Sequence, residues 1–335
     1  MMQRTRAAKW GNPVNSVSFG NTGVRVSAMC LGTMMFGDRC DEAESDRVLA
    51  QAMDGGVTFI DTAAMYGNGK TETLLGRILK GRRDRLFVAT KVNHHDPQVI
   101  RASLDESLAR LQLDHVDLYL LHWPKPAMQP EAMMAALNEL VKAGKTRFVG
   151  CCNFPAWLLA HFNAVAARHG WPGLVCNQIP YNPIERGVEV EILPQARAEG
   201  IAITVYRPIV RGLLAGRYTP GQPLPPDSRG TTDTRIPRWL DKYGEGITRF
   251  NAFARERNLE PGQLAVAWLR HNPAVTAPIV GVSSARQLAA NLKAFDVTLS
   301  DADYAEVTGM FDTAVKEEAA GSFPPFRRDM TLVAG

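Results

Sequence analysis

The sequence predicts an α/β fold, a (β/α)8 TIM barrel, on the basis of three observations. Apolar segments typical of buried parallel strands occur eight times from Cys30 onward, and a helical pattern follows each of them. This alternation requires parallel pairing with right-handed crossovers, and eight units in about 300 residues fit a closed barrel. An open doubly wound sheet would usually carry G-x-G-x-x-G after its first strand, whereas this chain has Gly32-Thr33-Met34-Met35-Phe36-Gly37.

The elements follow one another at short intervals along the chain. A β-hairpin is predicted within residues 15–28, around Gly20-Asn21-Thr22-Gly23. Gly144 and Gly200 mark helix ends, where a left-handed residue is often needed. The eight strands are predicted at 30–33, 57–61, 86–91, 116–121, 146–150, 174–179, 201–206 and 276–280. The helices that follow them are predicted at 41–53, 71–79, 98–112, 130–143, 155–168, 187–199, 261–270 and 285–294.

The barrel is predicted as a single domain over residues 15–313, between a flexible N-terminal lead (1–14) and a C-terminal tail (314–335). A last helix is expected to begin after Ser300 and form part of this domain. The segment 207–246 after the seventh strand is rich in proline, glycine and arginine, which predicts a long irregular loop. A loop of this length is usually either functional or disordered, and both interpretations stay open.

Composition restricts the class of protein. The chain has 335 residues, of which 45% are hydrophobic, so it is long enough for a large core. Its net charge of +4 is mild and shows no basic stripe, which argues against a nucleic-acid partner. Five cysteines without a C-x-x-C pair predict a reduced, cytoplasmic chain. No signal peptide or membrane span is predicted, and an oligomer is left open.

Polar side chains follow three neighbouring strands of the predicted barrel. Asp61 ends the second strand, with Tyr66 just beyond it; Lys91 ends the third strand and His122 follows the fourth. Catalytic groups of such barrels lie at the carboxyl ends of the strands. Each residue alone has an ordinary structural explanation, such as a helix cap or a solvated charge. Their joint placement nevertheless favours a functional site.

These four side chains suit proton transfer to a carbonyl oxygen. A tyrosine has a pKa near 10, and a nearby ammonium such as Lys91 is expected to lower it. Asp61 would keep Lys91 charged, and His122 would hydrogen-bond a substrate oxygen or relay a proton. The set suits protonation of a developing alkoxide. The hydride needed to complete a carbonyl reduction has to come from a nicotinamide or a flavin.

Two other motifs carry less weight. Gly69-Lys70-Thr71 resembles the end of a phosphate-binding loop, but Ala64 stands where that pattern needs glycine. His94-His95-Asp96 has no third ligand at suitable spacing, so no metal site is predicted.

Several separate motifs, in the same order and at similar spacing, resemble those of the aldo-keto reductases over roughly residues 15–312. The motifs are Asp61-Thr62-Ala63, Tyr66-Gly67, Lys91-Val92, Leu121-His122-Trp123, Cys152-Asn153-Phe154, Asn177-Gln178, the run from Tyr206 to Arg217, and the run from Gly281 through Ser284, Gln287 and Leu288 to Asn291.

The resemblance implies an NAD(P)H-dependent oxidoreductase that reduces an aldehyde or ketone to an alcohol, or runs the reverse reaction. Its small-molecule substrate would meet Tyr66 as general acid/base, with Lys91 and Asp61 tuning that phenol. His122 would orient the carbonyl. The substrate pocket is predicted to contain Met35, Tyr66, His122 and Trp123, because Met35 follows the first strand and Trp123 would lie opposite it, although the run 34–36 also suits the barrel core. The family binds its cofactor without the Rossmann glycines, so the absence of G-x-G-x-x-G agrees with the resemblance.

The resemblance also implies a cofactor site. Asn153 and Gln178 would hold the nicotinamide carboxamide, Tyr206 would stack on the ring, and the backbone of 208–214 with Arg217 would line the diphosphate. The full implied set is Thr33, Asp61, Cys152, Asn153, Gln178, Tyr206, Arg207, Pro208, Ile209, Gly212, Leu213, Arg217, Gly281, Ser283, Ser284, Arg286, Gln287 and Asn291.

Three positions depart from the family pattern. Cys152 stands where serine is common, and Arg207 stands where a small residue is usual. The run 281–284 lacks the basic residue that several subgroups place beside a 2′-phosphate, although Arg286 follows it. Since a guanidinium suits phosphate, NADP(H) is the preferred cofactor and NAD(H) the alternative.

Two other functions remain open at this point. A nucleotide-bound sensor or interaction subunit with little turnover is compatible with the same motifs. A barrel aldolase would use Lys91 as a Schiff-base amine.

Overall fold

The computed structural model describes residues 13–226 and 228–311. The predicted tail and nearly all of the predicted lead lie outside these residues.

A short hairpin precedes the barrel. Strand β1 (Ser16–Ser18) pairs antiparallel with β2 (Arg25–Ser27), and Val17 lies opposite Val26. Gly20 and Gly23 in the turn between them have φ of 53° and 76°, the left-handed region in which glycine is unstrained. The predicted hairpin is confirmed.

Eight parallel strands form a closed barrel. Their order in the barrel follows the chain, and the last strand closes it by pairing with both the first and the seventh. In the closing ladder Ile279 lies opposite Cys30, and Pro278 lies opposite Val205. The predicted (β/α)8 TIM barrel is therefore confirmed. The strands are β3 (Cys30–Gly32), β4 (Phe59–Asp61), β5 (Phe87–Val92), β6 (Val116–Leu121), β7 (Thr146–Cys152), β8 (Leu174–Pro180), β9 (Ala202–Tyr206) and β10 (Ala277–Gly281).

The helices surround the barrel, and several of them begin at a capping aspartate or end at a glycine. The side chains of Asp41 and Asp96 accept hydrogen bonds from the first turns that they precede, while Gly170 and Gly200 end helices in the left-handed conformation. The helices are α1 (Glu42–Asp54), α2 (Lys70–Ile78), α3 (Pro97–Leu111), α4 (Pro130–Lys142), α5 (Ala156–His169), α6 (Ile192–Glu199), α7 (Arg235–Glu256), α8 (Pro261–His271), α9 (Ala285–Leu292) and α10 (Asp301–Gly309).

The structure corrects two predicted boundaries. The segment 207–246 is not irregular throughout, because α7 begins at Arg235 and buries Ile236, Leu240 and Tyr243. Pro237 is tolerated because it lies in the first turn, where a missing N–H leaves no intrahelical bond unmade. Helix α6 begins at Ile192 rather than at 187.

Phe19 closes the amino-terminal end of the barrel. It follows β1 and is fully buried, with its ring 5.8 Å from that of Phe59 and 5.0 Å from that of Phe87. Phe59 and Phe87 are the first residues of β4 and β5. Apolar side chains therefore close this end, and the polar groups that follow the strands gather at the other end.

None of the helices in residues 13–226 and 228–311 combines the length and apolarity required to cross a membrane.

Candidate active site

Lys91 is enclosed at the carboxyl end of β5 by three oxygen acceptors. Its Nζ lies 2.7 Å from Asp61 Oδ2, 2.7 Å from the carbonyl oxygen of Thr62 and 3.1 Å from the hydroxyl of Tyr66. Lys91 is 1% exposed and Asp61 is 2% exposed. Burial by itself would lower the pKa of Lys91, but the charges of Asp61 and Tyr66 outweigh burial and hold that pKa above its usual value. The amine is therefore charged, and its three donors are all used.

Tyr66 is held at the mouth of the barrel by the turn Tyr66–Gly69. Gly67 and Asn68 both adopt the left-handed conformation, with φ of 55° and 52°. The ring lies edge-on to that of His122, at a centroid distance of 6.3 Å. Because Lys91 donates to the Tyr66 oxygen, the hydroxyl proton of Tyr66 is left for another acceptor.

Burial dominates the acidity of Tyr66. It raises the pKa of Tyr66 to about 12, although the Lys91 ammonium acts in the opposite direction. The expected lowering by Lys91 is thus present but smaller than the effect of burial. Tyr66 is consequently a neutral phenol at pH 7.

His122 follows β6 and faces Tyr66. Burial, and then the nearby charge of Lys91, lower the pKa of His122 to about 3, so the imidazole is neutral at pH 7. Its backbone N–H donates to the carbonyl oxygen of Val92 at 2.8 Å. Its Nδ1 is buried without a hydrogen-bond partner among the described residues. An unpartnered polar atom in this position is available to a bound molecule.

Three further predicted residues are joined to this group by hydrogen bonds. Asn153 Nδ2 donates to the carbonyl oxygen of His122 at 3.1 Å, and the hydroxyl of Tyr206 donates to Asn153 Oδ1 at 2.7 Å. Gln178 Nε2 donates to Asp61 Oδ1 at 2.8 Å. Asn153 adopts φ of 62°, in the left-handed region that asparagine tolerates better than most residues.

The loop after β9 contains several residues in the left-handed region. Arg207, Val210 and Arg211 have φ of 61°, 49° and 59°. Such strain persists where the surrounding structure imposes it, which is frequent at ligand sites. The Arg207 guanidinium lies 5.3 Å from the centre of the Tyr206 ring and 3.3 Å from Glu185 Oε1, which accounts for the unusual arginine at this position. Pro208, Ile209, Gly212 and Leu213 belong to the same loop, and Arg217 follows it with an exposed side chain.

A second group of predicted residues surrounds the start of α9. Ser283 donates through both its backbone N–H and its hydroxyl to Gln287 Oε1, at 2.9 and 3.1 Å. The Ser284 hydroxyl accepts a bond from the backbone of Gln287. Glu44 Oε1, on α1, accepts from the backbone N–H of Ala285 at 2.7 Å. Gly281 ends β10, Arg286 is exposed and Asn291 is half-buried.

The remaining predicted residues lie at the ends of neighbouring strands. Thr33 Oγ1 donates to the carbonyl oxygen of Asp61 at 2.9 Å, and Cys152 is fully buried at the end of β7. The Trp123 ring stacks at 6.3 Å and 21° from that of His122. Met35 is half-buried after β3.

Two acidic residues at the site were not predicted from the sequence. Glu44 lies 241 positions from Ala285, and Glu185 lies 22 positions from Arg207. Neither belongs to a recognised motif, and no local pattern links either residue to its partner.

The residues present fit a nicotinamide cofactor. Asn153 and Gln178 each use part of their amide capacity internally and keep further donor or acceptor positions. The hydrogen bond to Asn153 fixes the Tyr206 ring, and the strained loop begins at the next residue, Arg207. No group of three or more potential ligands in residues 13–226 and 228–311 is arranged to hold a metal ion.

Comparisons with known proteins agree with this geometry. The model of the Aldo/keto reductase family matches residues 28–311. The chain is 34% identical over 301 residues to the protein named Uncharacterized oxidoreductase YrpG of Bacillus subtilis, covering 84% of this chain and 90% of that protein. It is 30% identical to Aldo-keto reductase YhdN of Bacillus subtilis, covering 93% and 99% of the two chains. It is 32% identical to Aldo-keto reductase yakc [NADP(+)] of Schizosaccharomyces pombe, covering 88% and 90%.

The barrel, the groups gathered at its carboxyl end and these similarities lead to one conclusion. The chain belongs to the aldo/keto reductase family, as its motifs predict, and it is an oxidoreductase that acts on carbonyl compounds.

Proposed function

We propose that the protein reduces a small aldehyde or ketone to an alcohol with NAD(P)H, and that Tyr66 is the general acid. The contact of the Lys91 ammonium with the Tyr66 hydroxyl, at 3.1 Å, carries this proposal. Because Tyr66 is neutral at pH 7, it is in the protonation state needed to donate to a carbonyl oxygen.

Lys91 and Asp61 prepare Tyr66 for proton loss. As Tyr66 donates its proton, negative charge develops on its oxygen, and the ammonium 3.1 Å away stabilises that charge. Asp61, at 2.7 Å from Nζ, keeps the amine charged in a buried position. In the reverse reaction the phenolate would accept the alcohol proton.

His122 orients the substrate. A neutral imidazole can donate one hydrogen bond to the carbonyl oxygen, which places that oxygen near the Tyr66 hydroxyl. Met35 and Trp123 supply apolar walls, so we assign them to the substrate pocket.

A nicotinamide cofactor bound here would supply the hydride. Asn153 and Gln178 would hold its carboxamide, Tyr206 would pack against the ring, and the loop after β9 with Arg217 would bind the diphosphate. The residues from Gly281 to Asn291 would surround the adenosine. We propose NADP(H) as the preferred form, because the exposed Arg286 lies at the start of α9 and one relative carries NADP(+) in its name. We also propose a cytoplasmic location.

The substitution Tyr66→Phe tests this function. We expect the rate of NADPH oxidation with a panel of small aldehydes and ketones to fall by about 100-fold or more, because general acid catalysis contributes roughly 10²- to 10⁴-fold. Binding of NADPH, followed by tryptophan fluorescence, should be unchanged.

Tyr119→Phe provides a matched control. The Tyr119 hydroxyl donates to the carbonyl oxygen of Ile100 at 2.9 Å, away from the group around Lys91, so its removal should leave turnover intact. Equal rates for the wild type and Tyr66→Phe would rule out the proposed role of Tyr66. Tight nucleotide binding without turnover in the wild type would instead indicate a sensor.

A further inference from the structure

Glu72 is a fully buried carboxylate close to the group around Lys91. It lies in the first turn of α2, is 0% exposed, and has both of its oxygens bonded. The Thr90 hydroxyl donates to Glu72 Oε1 at 2.5 Å, and Arg110 Nε donates to Glu72 Oε2 at 2.7 Å. Burying a carboxylate is costly unless it is paired and hydrogen-bonded, so Glu72 depends on these two partners.

Through Thr90, Glu72 holds the strand that presents the Lys91 ammonium. Thr90 is fully buried and immediately precedes Lys91 on β5. Successive side chains of a strand point to opposite faces, so Thr90 is directed towards α2 while Lys91 is directed into the barrel. The bond to Glu72 therefore fixes β5 from outside the barrel, one residue before Lys91.

Through Arg110, Glu72 also holds the turn that carries Tyr66. The Arg110 side chain extends from α3 and packs against Gly69, the last residue of the turn Tyr66–Gly69. A Cβ atom added to Gly69 would lie 2.8 Å from Arg110 Cδ and 3.1 Å from its Nε. Gly69 has φ of 84°, so glycine permits both the backbone conformation and the close approach of the arginine. The ion pair with Glu72 fixes the arginine in this contact.

We propose that Glu72 and Arg110 are positioning residues that set the distance between Lys91 Nζ and the Tyr66 hydroxyl. The inference rests on the role of Tyr66 as general acid proposed above. Glu72 bonds to β5 directly and to the turn after β4 through Arg110, so one carboxylate fixes both ends of the 3.1 Å contact. Because the attraction between an ammonium and a developing phenolate weakens with distance, a loosened turn would slow proton transfer.

Glu72→Gln tests the proposal. The variant keeps the shape of the side chain and an oxygen for the Thr90 hydroxyl, but it removes the charge that holds Arg110. We expect kcat for carbonyl reduction to fall by about 10-fold, because small displacements of reacting groups are costly, while the Kd for NADPH stays unchanged. The Lys91 ammonium lowers the pKa of Tyr66, so a weaker contact should also move the pH profile of alcohol oxidation up by roughly half a unit.

Asp117→Asn is the matched control. Asp117 is also a buried carboxylate, and it pairs with Arg147 at 2.8 Å and with Arg83 at 2.9 Å. It is the second residue of β6 and lies towards the amino-terminal end of the barrel, away from Tyr66. Its loss should lower the unfolding free energy without changing kcat or the pH profile. Equal kinetic changes in the two variants, or wild-type kinetics in Glu72→Gln, would overturn the proposal.

The double variant Glu72→Gln with Arg110→Gln keeps the test available if the single variant does not fold. It removes both charges, so no guanidinium is left without its carboxylate at this half-buried position. The same fall in kcat and the same shift of the pH profile are expected. Wild-type kinetics in the folded double variant would contradict the positioning role.

A spectroscopic measurement separates this inference from the reductase function. In protein labelled with 3-fluorotyrosine, the fluorine NMR resonance of Tyr66 is the one among seven tyrosines that Tyr66→Phe removes. Glu72→Gln should shift this resonance, and Asp117→Asn should not. An unshifted resonance in Glu72→Gln would overturn the positioning role even in an active reductase. A shifted resonance in a protein that reduces no aldehyde would support the positioning role while the reductase function fails.

Discussion

Lys91 carries a buried positive charge, and Asp61 is the negatively charged group that balances it. An ammonium that is 1% exposed is tolerated because Asp61 lies 2.7 Å away and two further oxygens accept its remaining donors. The same arrangement directs one of those donors to Tyr66. The interaction that keeps Lys91 charged therefore also places that charge against the phenol.

Lys91→Met should move the pH profile of alcohol oxidation to higher pH. The ammonium lowers the pKa of Tyr66, so its loss should raise that pKa further, and only oxidation requires the phenolate. An opposite charge shifts a pKa by roughly 1–3 units, so the rise of oxidation kcat/KM with pH should move up by at least about one unit. Profiles of kcat/KM against pH in both directions provide the measurement.

The double variant Asp61→Asn with Lys91→Met is the control, because the single variant leaves a buried carboxylate without its cation. The same shift of the pH profile should appear in the single variant and in the double variant. Unchanged profiles in both would contradict a role of Lys91 in tuning Tyr66.

His122 should make the fold sensitive to acid. Its folded pKa of about 3 lies below the usual value near 6.5, so the unfolded chain takes up a proton that the folded chain does not. Its contribution to stability is complete above about pH 6.5 and is lost as the pH falls towards 3. Urea unfolding at pH 7, 6, 5 and 4 should therefore show a smaller loss of unfolding free energy on acidification for His122→Asn than for the wild type.

His161→Asn serves as the comparison, because His161 is exposed on α5. It should keep the wild-type dependence on pH. An identical dependence for His122→Asn would show that His122 contributes nothing to acid sensitivity.

At the scale of single elements, most helices and strands follow from local patterns, and α7 shows that composition alone can mislead. Its first residues lie in a proline-rich, glycine-rich segment, yet Ile236, Leu240 and Tyr243 recur at helical spacing and are buried. Proline argues against a helix only in its interior, and Pro237 lies in the first turn. Composition indicated a loop, whereas the spacing of the apolar residues indicated the helix that forms.

Helix ends allow a test with matched variants. Gln112 ends α3 at φ of 54° and is exposed, whereas Gly170 ends α5 at φ of 64° with no atom near the position of an added Cβ. Gln112→Gly should raise the unfolding free energy by about 0.5–1 kcal/mol, because glycine adopts this conformation without strain. Urea unfolding at pH 7 provides the measurement.

Gly170→Ala is the opposite change and should lower the unfolding free energy by about 1 kcal/mol. Changes of the same sign in the two variants would contradict the conformational explanation.

At the scale of the whole molecule, the two ends of the barrel differ in the side chains that they contain. The rings of Phe19, Phe59 and Phe87 close the amino-terminal end, while the polar groups lie at the carboxyl ends of the strands. Apolar packing at the amino-terminal end therefore stabilises the barrel. This stability offsets the cost of the buried charges and the strained backbone at the carboxyl end.

Phe19→Ala should destabilise the protein without changing its chemistry. Removing a fully buried phenylalanine costs about 3–5 kcal/mol, so thermal unfolding should occur at a clearly lower temperature. At temperatures where the variant is folded, kcat/KM should equal that of the wild type, because the site lies at the opposite end.

Phe19→Leu, which retains most of the apolar volume, should lose less stability. A large loss of kcat/KM in a fully folded Phe19→Ala protein would show that the hairpin also shapes the active site.

The sequence by itself determined the alternation of strands and helices, the closed barrel, and the family to which the chain belongs. It also placed Asp61, Tyr66, Lys91 and His122 near one another, because the carboxyl ends of neighbouring parallel strands meet at one end of a barrel. These features depend on local periodicity and on short motifs, which can be recognised in a single sequence.

Only the tertiary structure decided how these groups contact one another. Gln178 reaches Asp61 across 117 positions, and Glu44 reaches Ala285 across 241 positions. The pKa of Tyr66 lies above its usual value, although the sequence indicated a lowering by Lys91, because burial depends on everything packed around the ring. Glu72 and Arg110 likewise meet across 38 positions, and such contacts between remote segments leave no periodic pattern in the sequence.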